Sequence, residues 1–154
     1  NLSVIKSVIK SNDNRSRLLL NRVNQILKRK IKNKKICFLG VTFKANTDDM
    51  RDSSSLTMIP YLSKQGAKVK YFDPTGFKQE FKKFKNVICS NSINEAVKDS
   101  DLVIIHTEWN DFKSINFKKL SSSKNLIVYD MRNIFSKNKI KKQGFKYFGI
   151  GKPI

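Results

Sequence analysis

The chain has 154 residues, of which 39% are hydrophobic and 10% aromatic, so it can fold around a core and is not disordered as a whole. Its apolar runs all fall short of the roughly 18 residues that cross a bilayer, so we expect a soluble protein without a membrane partner. The formal net charge of +20 reflects 26 lysines and 6 arginines against 12 acidic residues. The basic residues are spread along the chain, which argues against a nucleic-acid-binding module but keeps it as an alternative.

The first thirty residues predict a helix. Apolar residues recur there at three- and four-residue steps, between Lys, Arg and Asn. The apolar positions are Val4, Ile5, Val8, Ile9, Leu18, Leu19, Val23, Ile26 and Leu27. The Asn-Asp-Asn segment at 12–14 interrupts the pattern. We therefore assign residues 1–33 to a helical arm with its linker and residues 34–154 to a separate domain.

Short apolar runs alternate with helical stretches in the second region. The predicted strands are 36–39, 68–72, 86–89, 102–105, 126–129 and 145–148, and the predicted helices are 56–65, 77–84, 92–97, 116–120 and 137–143. Strands separated by helices pair in parallel, because a parallel connection needs a crossover. The sequence thus predicts an α/β fold with a Rossmann-like, doubly wound, mainly parallel sheet, preceded by a long helix.

Polar segments follow three of these strands, at 40–55, 106–109 and 130–133. Ligands of open α/β sheets bind outside the carboxyl ends of the strands, so these segments are the candidates for a site. The first of them carries Lys44 and Arg51 and runs into three serines at a helix start, a combination that suits an anion. It contains neither a GxGxxG fingerprint nor a P-loop. An ordinary charged loop, with Asp48 and Asp49 paired to the two cations, remains the alternative.

The spacing within 40–55 carries a more specific signal. Gly40, Phe43, Lys44, Thr47, Asp49, Arg51 and Ser53 resemble the signature that opens the UDP-binding domain of the UDP-glucose/GDP-mannose dehydrogenase family. The segments 66–67, 71–74, 107–112, 130–133 and 144–151 match in register, and 107–110 and 130–133 look most like the UDP-glucose branch. The leading helix is similar to the end of the family's central dimerisation helix.

The resemblance implies roles for four residues. Phe43 and Lys44 match positions that bind the UDP-sugar, and Arg132 matches an arginine that also contacts it. Arg51 matches an arginine that reaches the diphosphate of NAD. A guanidinium suits both arginine roles, since it can hold phosphate oxygens bidentately.

The same resemblance implies an activity, namely the NAD-dependent, two-step oxidation of UDP-glucose to UDP-glucuronate by a cytoplasmic homodimer. The family's dinucleotide-binding domain and catalytic cysteine have no counterpart in these residues, and Cys37 and Cys89 are expected to be structural thiols. We therefore expect the chain to bind UDP as part of the same enzyme chain, with no catalytic residue and no metal of its own. A sibling enzyme acting on GDP-mannose or UDP-N-acetylmannosamine is the alternative within the family.

Three further polar or aromatic residues sit close to the predicted strand ends. His106 could act as a general base, although a structural role is favoured. Asp73 could bind a ribose, but Asp-Pro is a common turn signal and the turn is preferred. Trp109 could stack on a base, and packing over the strand end is the favoured interpretation.

Overall fold

The computed structural model describes the backbone of residues 2–154 and the side chains of residues 14–154. Helix α1 spans Leu2–Ile26 and is continuous through 12–14, where the sequence pattern is interrupted. The apolar face predicted for Val4, Ile5, Val8 and Ile9 lies outside the described side chains. In residues 2–154, no helix combines the length and the apolar character that crossing a membrane requires.

Six strands and four further helices follow α1, and their bounds lie within one residue of the predicted ones. The strands are β1 Lys35–Leu39, β2 Lys68–Phe72, β3 Val87–Cys89, β4 Leu102–Ile105, β5 Ile127–Asp130 and β6 Lys146–Gly149. The helices are α2 Ser55–Lys64, α3 Ile93–Val97, α4 Phe117–Leu120 and α5 Lys137–Lys142.

The helix predicted at 77–84 is wrong. This segment forms only a single 3₁₀ turn, Gln79–Phe81. The backbone of Lys78 is extended, and its N–H donates to the Tyr71 hydroxyl at 2.8 Å instead of entering a helix. Lys78 and Phe81 are buried, so a tertiary hydrogen bond outweighs a weak helical pattern here.

The strands form one sheet in the order β3-β2-β1-β4-β5-β6, and every neighbouring pair is parallel. The order reverses between β1 and β4, because the chain moves outward from β1 in one direction and then returns to continue in the other. This arrangement confirms the predicted doubly wound α/β fold and makes the gap above β1 and β4 its switch point.

Two hydrophobic clusters cover the two faces of the sheet. On one face, Phe38 of β1 lies in the same cluster as Val23 of α1 and Met58 of α2. On the other face, Leu39 of β1 lies with Phe117 of α4 and with side chains of α3 and α5. Alternate residues of β1 therefore enter different clusters, as the two-residue period of a strand requires.

Candidate functional site

A cleft of about 370 Å³ opens outside the carboxyl ends of β1 and β4, at the switch point of the sheet. Its walls come from α1, the loop after β1, the start of α2, and the segments after β4 and β5. Its lining includes the cations Arg15, Lys44 and Arg132, one carboxylate, Asp52, and the side chains of Phe43, Ser54 and His106. A second cleft, of about 340 Å³, lies near the amino ends of β1 and β2 and contains none of the predicted site residues.

The loop after β1 passes very close to the segment after β4. Gly40 has a φ of 76°, and a Cβ atom at this position would lie 2.5 Å from the Cβ of Thr107. Neither the backbone conformation nor the space tolerates a side chain. The glycine therefore allows the two strand ends to converge on one cleft.

Asp73, at the end of β2, anchors this loop. Its Oδ2 accepts a hydrogen bond from the backbone N–H of Val41 at 2.8 Å and a longer one from Thr42 at 3.4 Å. Its Oδ1 accepts from the N–H of Thr75 at 3.0 Å. The carboxylate is buried, so both oxygens serve the backbone and neither faces a ligand. This geometry agrees with the turn role preferred for Asp73. It also shows that Asp73 supports the loop after β1.

Two serines attach the start of α2 to the same loop. The hydroxyls of Ser53 and Ser55 both donate to the carbonyl oxygen of Val41, at 2.7 and 2.6 Å. Ser54 between them turns the other way and contacts His106. The first turn of α2 is therefore fixed against the end of β1.

Arg132, which follows β5, reaches across the cleft. Its Nε donates to the carbonyl oxygen of His106 at 2.7 Å, and its Nη2 donates to the carbonyl oxygen of Phe43 at 3.2 Å. A carboxylate oxygen of Glu108 lies 3.0 Å from Nε. The side chain is 28% exposed. These contacts hold the guanidinium in place and leave part of it open to the cleft.

Phe43 and Lys44 lie exposed at the rim of this cleft, and 48% of the Phe43 surface is accessible. The structure thus brings together the three residues predicted to bind the UDP-sugar. Arg51 is not among the residues that line the cleft. It points into solvent and binds Asp49 through two hydrogen bonds of 3.0 and 2.9 Å. The Arg51 hydrogen bonds lower the pKa of the Asp49 carboxyl to about 2.

His106 is buried beneath the cleft surface. Its Nε2 lies 2.9 Å from the Ser54 hydroxyl, and its Nδ1 lies 3.0 Å from the Thr107 hydroxyl. Burial, assisted by the positive charge of Arg132, lowers the pKa of His106 to about 3. The imidazole is therefore neutral at physiological pH.

Sequence reasoning missed two residues of the cleft. Arg15 belongs to α1 and adds a cation to Lys44 and Arg132, but only the docking of α1 brings it there. Ser54 belongs to a serine run that predicted helix caps. In the described part of the chain it makes no cap hydrogen bond with α2 and bonds to His106 instead. No local sequence signal distinguishes these roles.

The two thiols and Trp109 lie in packed surroundings. Cys37 is fully buried in β1, and burial raises the pKa of its thiol. Trp109 is 8% exposed and belongs to the second hydrophobic cluster, in agreement with the packing interpretation. Among the described side chains, no three His, Cys, Asp or Glu residues come together in the manner of a metal site.

Comparison with known proteins gives a consistent picture. The model of a family described as "UDP-glucose/GDP-mannose dehydrogenase family, UDP binding domain" matches residues 37–137. The chain is 37% identical to the UDP-glucose 6-dehydrogenase of Rhizobium meliloti over 151 residues, which cover 97% of this chain and 35% of that protein. It spans about a third of the length of the curated relatives it matches.

Solved structures share the fold. An NDP-N-acetyl-D-galactosaminuronic acid dehydrogenase from Methanosarcina mazei superposes with a TM-score of 0.74 at 24% identity, over 89% of this chain and 29% of that one. A UDP-glucose dehydrogenase from Pyrobaculum islandicum superposes with a TM-score of 0.73 at 22% identity, over 96% of this chain and 32% of that one. At these identities the likeness concerns the fold alone.

Proposed function

The chain belongs to the UDP-glucose/GDP-mannose dehydrogenase family and contains its UDP-binding domain, and on that premise we propose that the switch-point cleft binds the UDP part of a nucleotide sugar. The whole enzyme would be an NAD-dependent UDP-glucose 6-dehydrogenase that oxidises UDP-glucose to UDP-glucuronate. Residues 1–33 would be the end of its dimerisation helix and linker, and residues 34–154 its UDP-sugar-binding domain. The remainder of the chain and a second subunit would complete the enzyme.

The convergence of cations on one cleft carries this proposal. Lys44, Arg132 and Arg15 come from three separate parts of the chain and line the same cavity. A diphosphate needs such a set, because charge-assisted hydrogen bonds from Arg and Lys are its strongest contacts. Arg132 is already held by two backbone carbonyls, so little of its side-chain entropy is lost when a ligand binds. Phe43 at the rim offers an apolar surface for the nucleotide.

Of the two residues that could contact NAD, Asp73 and Arg51, only Arg51 fits. The acid that a dinucleotide fold offers to a ribose is represented here by Asp73, whose oxygens are occupied by backbone N–H groups. Arg51 fits a diphosphate better, because its side chain is 88% exposed and its ion pair with Asp49 lies in solvent, where such a pair is weak. We propose that Arg51, at the edge of this domain, contacts the diphosphate of NAD. NAD would be the hydride acceptor of the reaction.

A titration of the chain with UDP by calorimetry tests the proposal. We expect UDP to bind. Lys44→Ala should lower the affinity for UDP by about tenfold or more, because one charge-assisted hydrogen bond is lost. Arg132→Lys keeps the charge but loses the planar guanidinium and its bidentate hydrogen bonding, so it should also lower the affinity for UDP. Lys64→Ala, which removes an exposed lysine at the far end of α2, is the matched control and should leave the affinity unchanged.

The same titration separates the alternatives. A sibling enzyme that acts on GDP-mannose would show tighter binding of GDP than of UDP. The net charge of +20 favours some binding of duplex DNA at low salt, which should disappear at moderate salt. DNA binding that persists there, is tighter than UDP binding and is insensitive to Lys44→Ala would contradict the proposed function.

A further inference from the structure

Ser54, His106, Thr107 and Thr42 form a chain of hydrogen bonds at the wall of the cleft. The Ser54 hydroxyl lies 2.9 Å from Nε2 of His106, and Nδ1 of the same ring lies 3.0 Å from the Thr107 hydroxyl. The Thr107 hydroxyl lies 2.9 Å from the carbonyl oxygen of Thr42. His106, Thr107 and Thr42 are buried, whereas Ser54 is half-buried and lines the cleft.

The direction of this chain follows from its buried end. A carbonyl oxygen can only accept, so the single proton of the Thr107 hydroxyl points to Thr42. The Thr107 oxygen must then accept from His106, which places the ring proton on Nδ1. A neutral imidazole protonated on Nδ1 has an acceptor at Nε2, and the Ser54 hydroxyl must donate to it.

Ser54 consequently has no proton to offer a ligand. Its oxygen faces the cleft as an acceptor, and a phosphate oxygen placed there would meet a second acceptor without a hydrogen between them. We propose that Ser54 is a specificity-determining residue that accepts a hydrogen bond from a hydroxyl group of the bound nucleotide sugar, with its polarity set by His106. This inference rests on the proposed UDP-sugar function of the cleft.

The assignment divides the cleft into two parts of different chemistry. Arg15, Lys44 and Arg132 can only donate, so they suit the phosphates. Ser54 lies among them as an acceptor, because its hydroxyl proton is donated to the neutral imidazole of His106. A ligand that carries both phosphate oxygens and hydroxyl groups satisfies both parts, whereas pyrophosphate satisfies only the first. The hydroxyl could come from the ribose or from the hexose, and the two sources give different results below.

The proton positions can be measured without any ligand. His106 is the single histidine of the chain, so its ring nitrogen resonances need no assignment to a residue, and their couplings to the ring protons distinguish Nδ1 from Nε2. We expect the nitrogen NMR spectrum of a neutral imidazole protonated on Nδ1, unchanged between pH 5 and 8. A ring protonated on Nε2, or one that titrates within this range, would overturn the inference whatever the protein binds.

The ligand contact is tested by calorimetry of wild type and Ser54→Ala with UDP, 2′-deoxy-UDP, 3′-deoxy-UDP, UDP-glucose and inorganic pyrophosphate. If the ribose supplies the hydroxyl, Ser54→Ala weakens UDP by about 3- to 10-fold, the range for one neutral hydrogen bond. It then has no effect on the deoxy-UDP that lacks the contacting hydroxyl. If the hexose supplies it, Ser54→Ala weakens UDP-glucose and leaves UDP unchanged.

Pyrophosphate is the control ligand, because it carries phosphate oxygens but no sugar hydroxyl. Its affinity should be the same for wild type and Ser54→Ala, and an equal loss for all five ligands would show that Ser54 donates to a phosphate and that the inference is wrong. The same holds if none of the five affinities changes. A wild-type chain that binds no UDP would instead refute the proposed function, while the histidine spectrum would still decide the proton positions.

Discussion

At the scale of single residues, the cleft depends on buried and half-buried polar side chains that bond to backbone atoms. Asp73 accepts hydrogen bonds from the N–H groups of Val41 and Thr42, and Arg132 donates to the carbonyl oxygens of His106 and Phe43. Each contact connects segments that are far apart in the sequence. For the buried Asp73, the loss of one partner leaves the other buried and unsatisfied, which costs more than the hydrogen bond itself contributed.

Asp73→Asn should therefore destabilise the protein although it preserves the shape of the side chain. Both carboxylate oxygens face N–H donors, and an amide group must replace one of these acceptors with a donor. We expect the free energy of unfolding to fall by about 2 kcal/mol, measured by urea denaturation. Asp99→Asn, at an exposed position, is the control and should stay within about 0.5 kcal/mol of wild type. Equal stability of the two variants would contradict the anchoring role of Asp73.

The buried imidazole of His106 should make stability depend on pH. Its pKa in the folded protein is about 3, below the ordinary value of 6.5, because burial disfavours the charged ring. Between these two values the unfolded chain binds a proton that the folded chain does not. Stability contributed by the neutral ring is thus fully present above pH 6.5 and is lost as the pH falls towards 3.

The measurement is the free energy of unfolding at several pH values between 6 and 4. We expect His106 to contribute a fall of about 1.4 kcal/mol per pH unit in the lower part of this range. His106→Asn removes this contribution while the carboxylates titrate as before. The slope should therefore be shallower in the variant by that amount, whatever its absolute stability, and parallel profiles would show that His106 titrates normally in the folded state.

At the scale of elements, the second half of α1, whose side chains are described from residue 14 onward, packs onto the sheet. Val23, Ile26 and Leu19 enter the same hydrophobic cluster as β1 and α2. Arg22 donates to the carbonyl oxygens of Gly149, at the end of β6, and of Lys152 beyond it, and lies 5.9 Å from the centre of the Tyr129 ring. Docking by these contacts is what carries Arg15 to the cleft.

Two adjacent leucines of α1 provide a test of this docking. Leu19 is 5% exposed and Leu18 is 68% exposed. Leu19→Ala should lower the free energy of unfolding by about 2–4 kcal/mol, because it removes buried methyl groups and leaves a cavity. Leu18→Ala should change the free energy of unfolding by less than about 0.5 kcal/mol, since Leu18 is exposed and leucine and alanine are both good helix formers. Equal effects in urea denaturation at low protein concentration would show that α1 does not pack as described.

At the scale of the whole molecule, the sheet places Phe43, Lys44, His106 and Arg132 at its carboxyl edge, and the docked α1 adds Arg15 there. The cleft is lined by cations, a neutral histidine and hydroxyls, while the thiol of Cys37 is buried in β1 with a raised pKa. A buried, protonated thiol is a poor nucleophile. This arrangement suits a domain that holds a substrate for chemistry performed by other parts of an enzyme.

The 154-residue chain by itself should therefore bind UDP without oxidising UDP-glucose. We expect no NADH absorbance when the chain is mixed with UDP-glucose and NAD, and Cys37→Ser should make no difference. The positive control is UDP binding by the same preparation, which shows that the domain is folded. NADH formation above the blank would contradict the assignment of the chain as a binding part.

The sequence alone determined the alternation of strands and helices, since each depends on local periodicity and on turn residues such as Gly66. It also placed Phe43, Lys44, Arg51 and Arg132 after strand ends, because a loop that follows a strand must emerge at the carboxyl edge of the sheet. Local reasoning failed at 77–84, where the Tyr71 hydroxyl holds Lys78 extended. That hydrogen bond joins two segments and leaves no periodic trace in the sequence.

Only the tertiary structure decided which of these residues share a cleft. The strand order β3-β2-β1-β4-β5-β6 sets β1 beside β4 and brings Lys44, Ser54, His106 and Arg132 together, while Arg51 remains outside in solvent. The docking of α1 added Arg15, and burial made His106 neutral. Proximity between distant segments and the loss of solvent around a side chain are properties of packing, and neither follows from local periodicity.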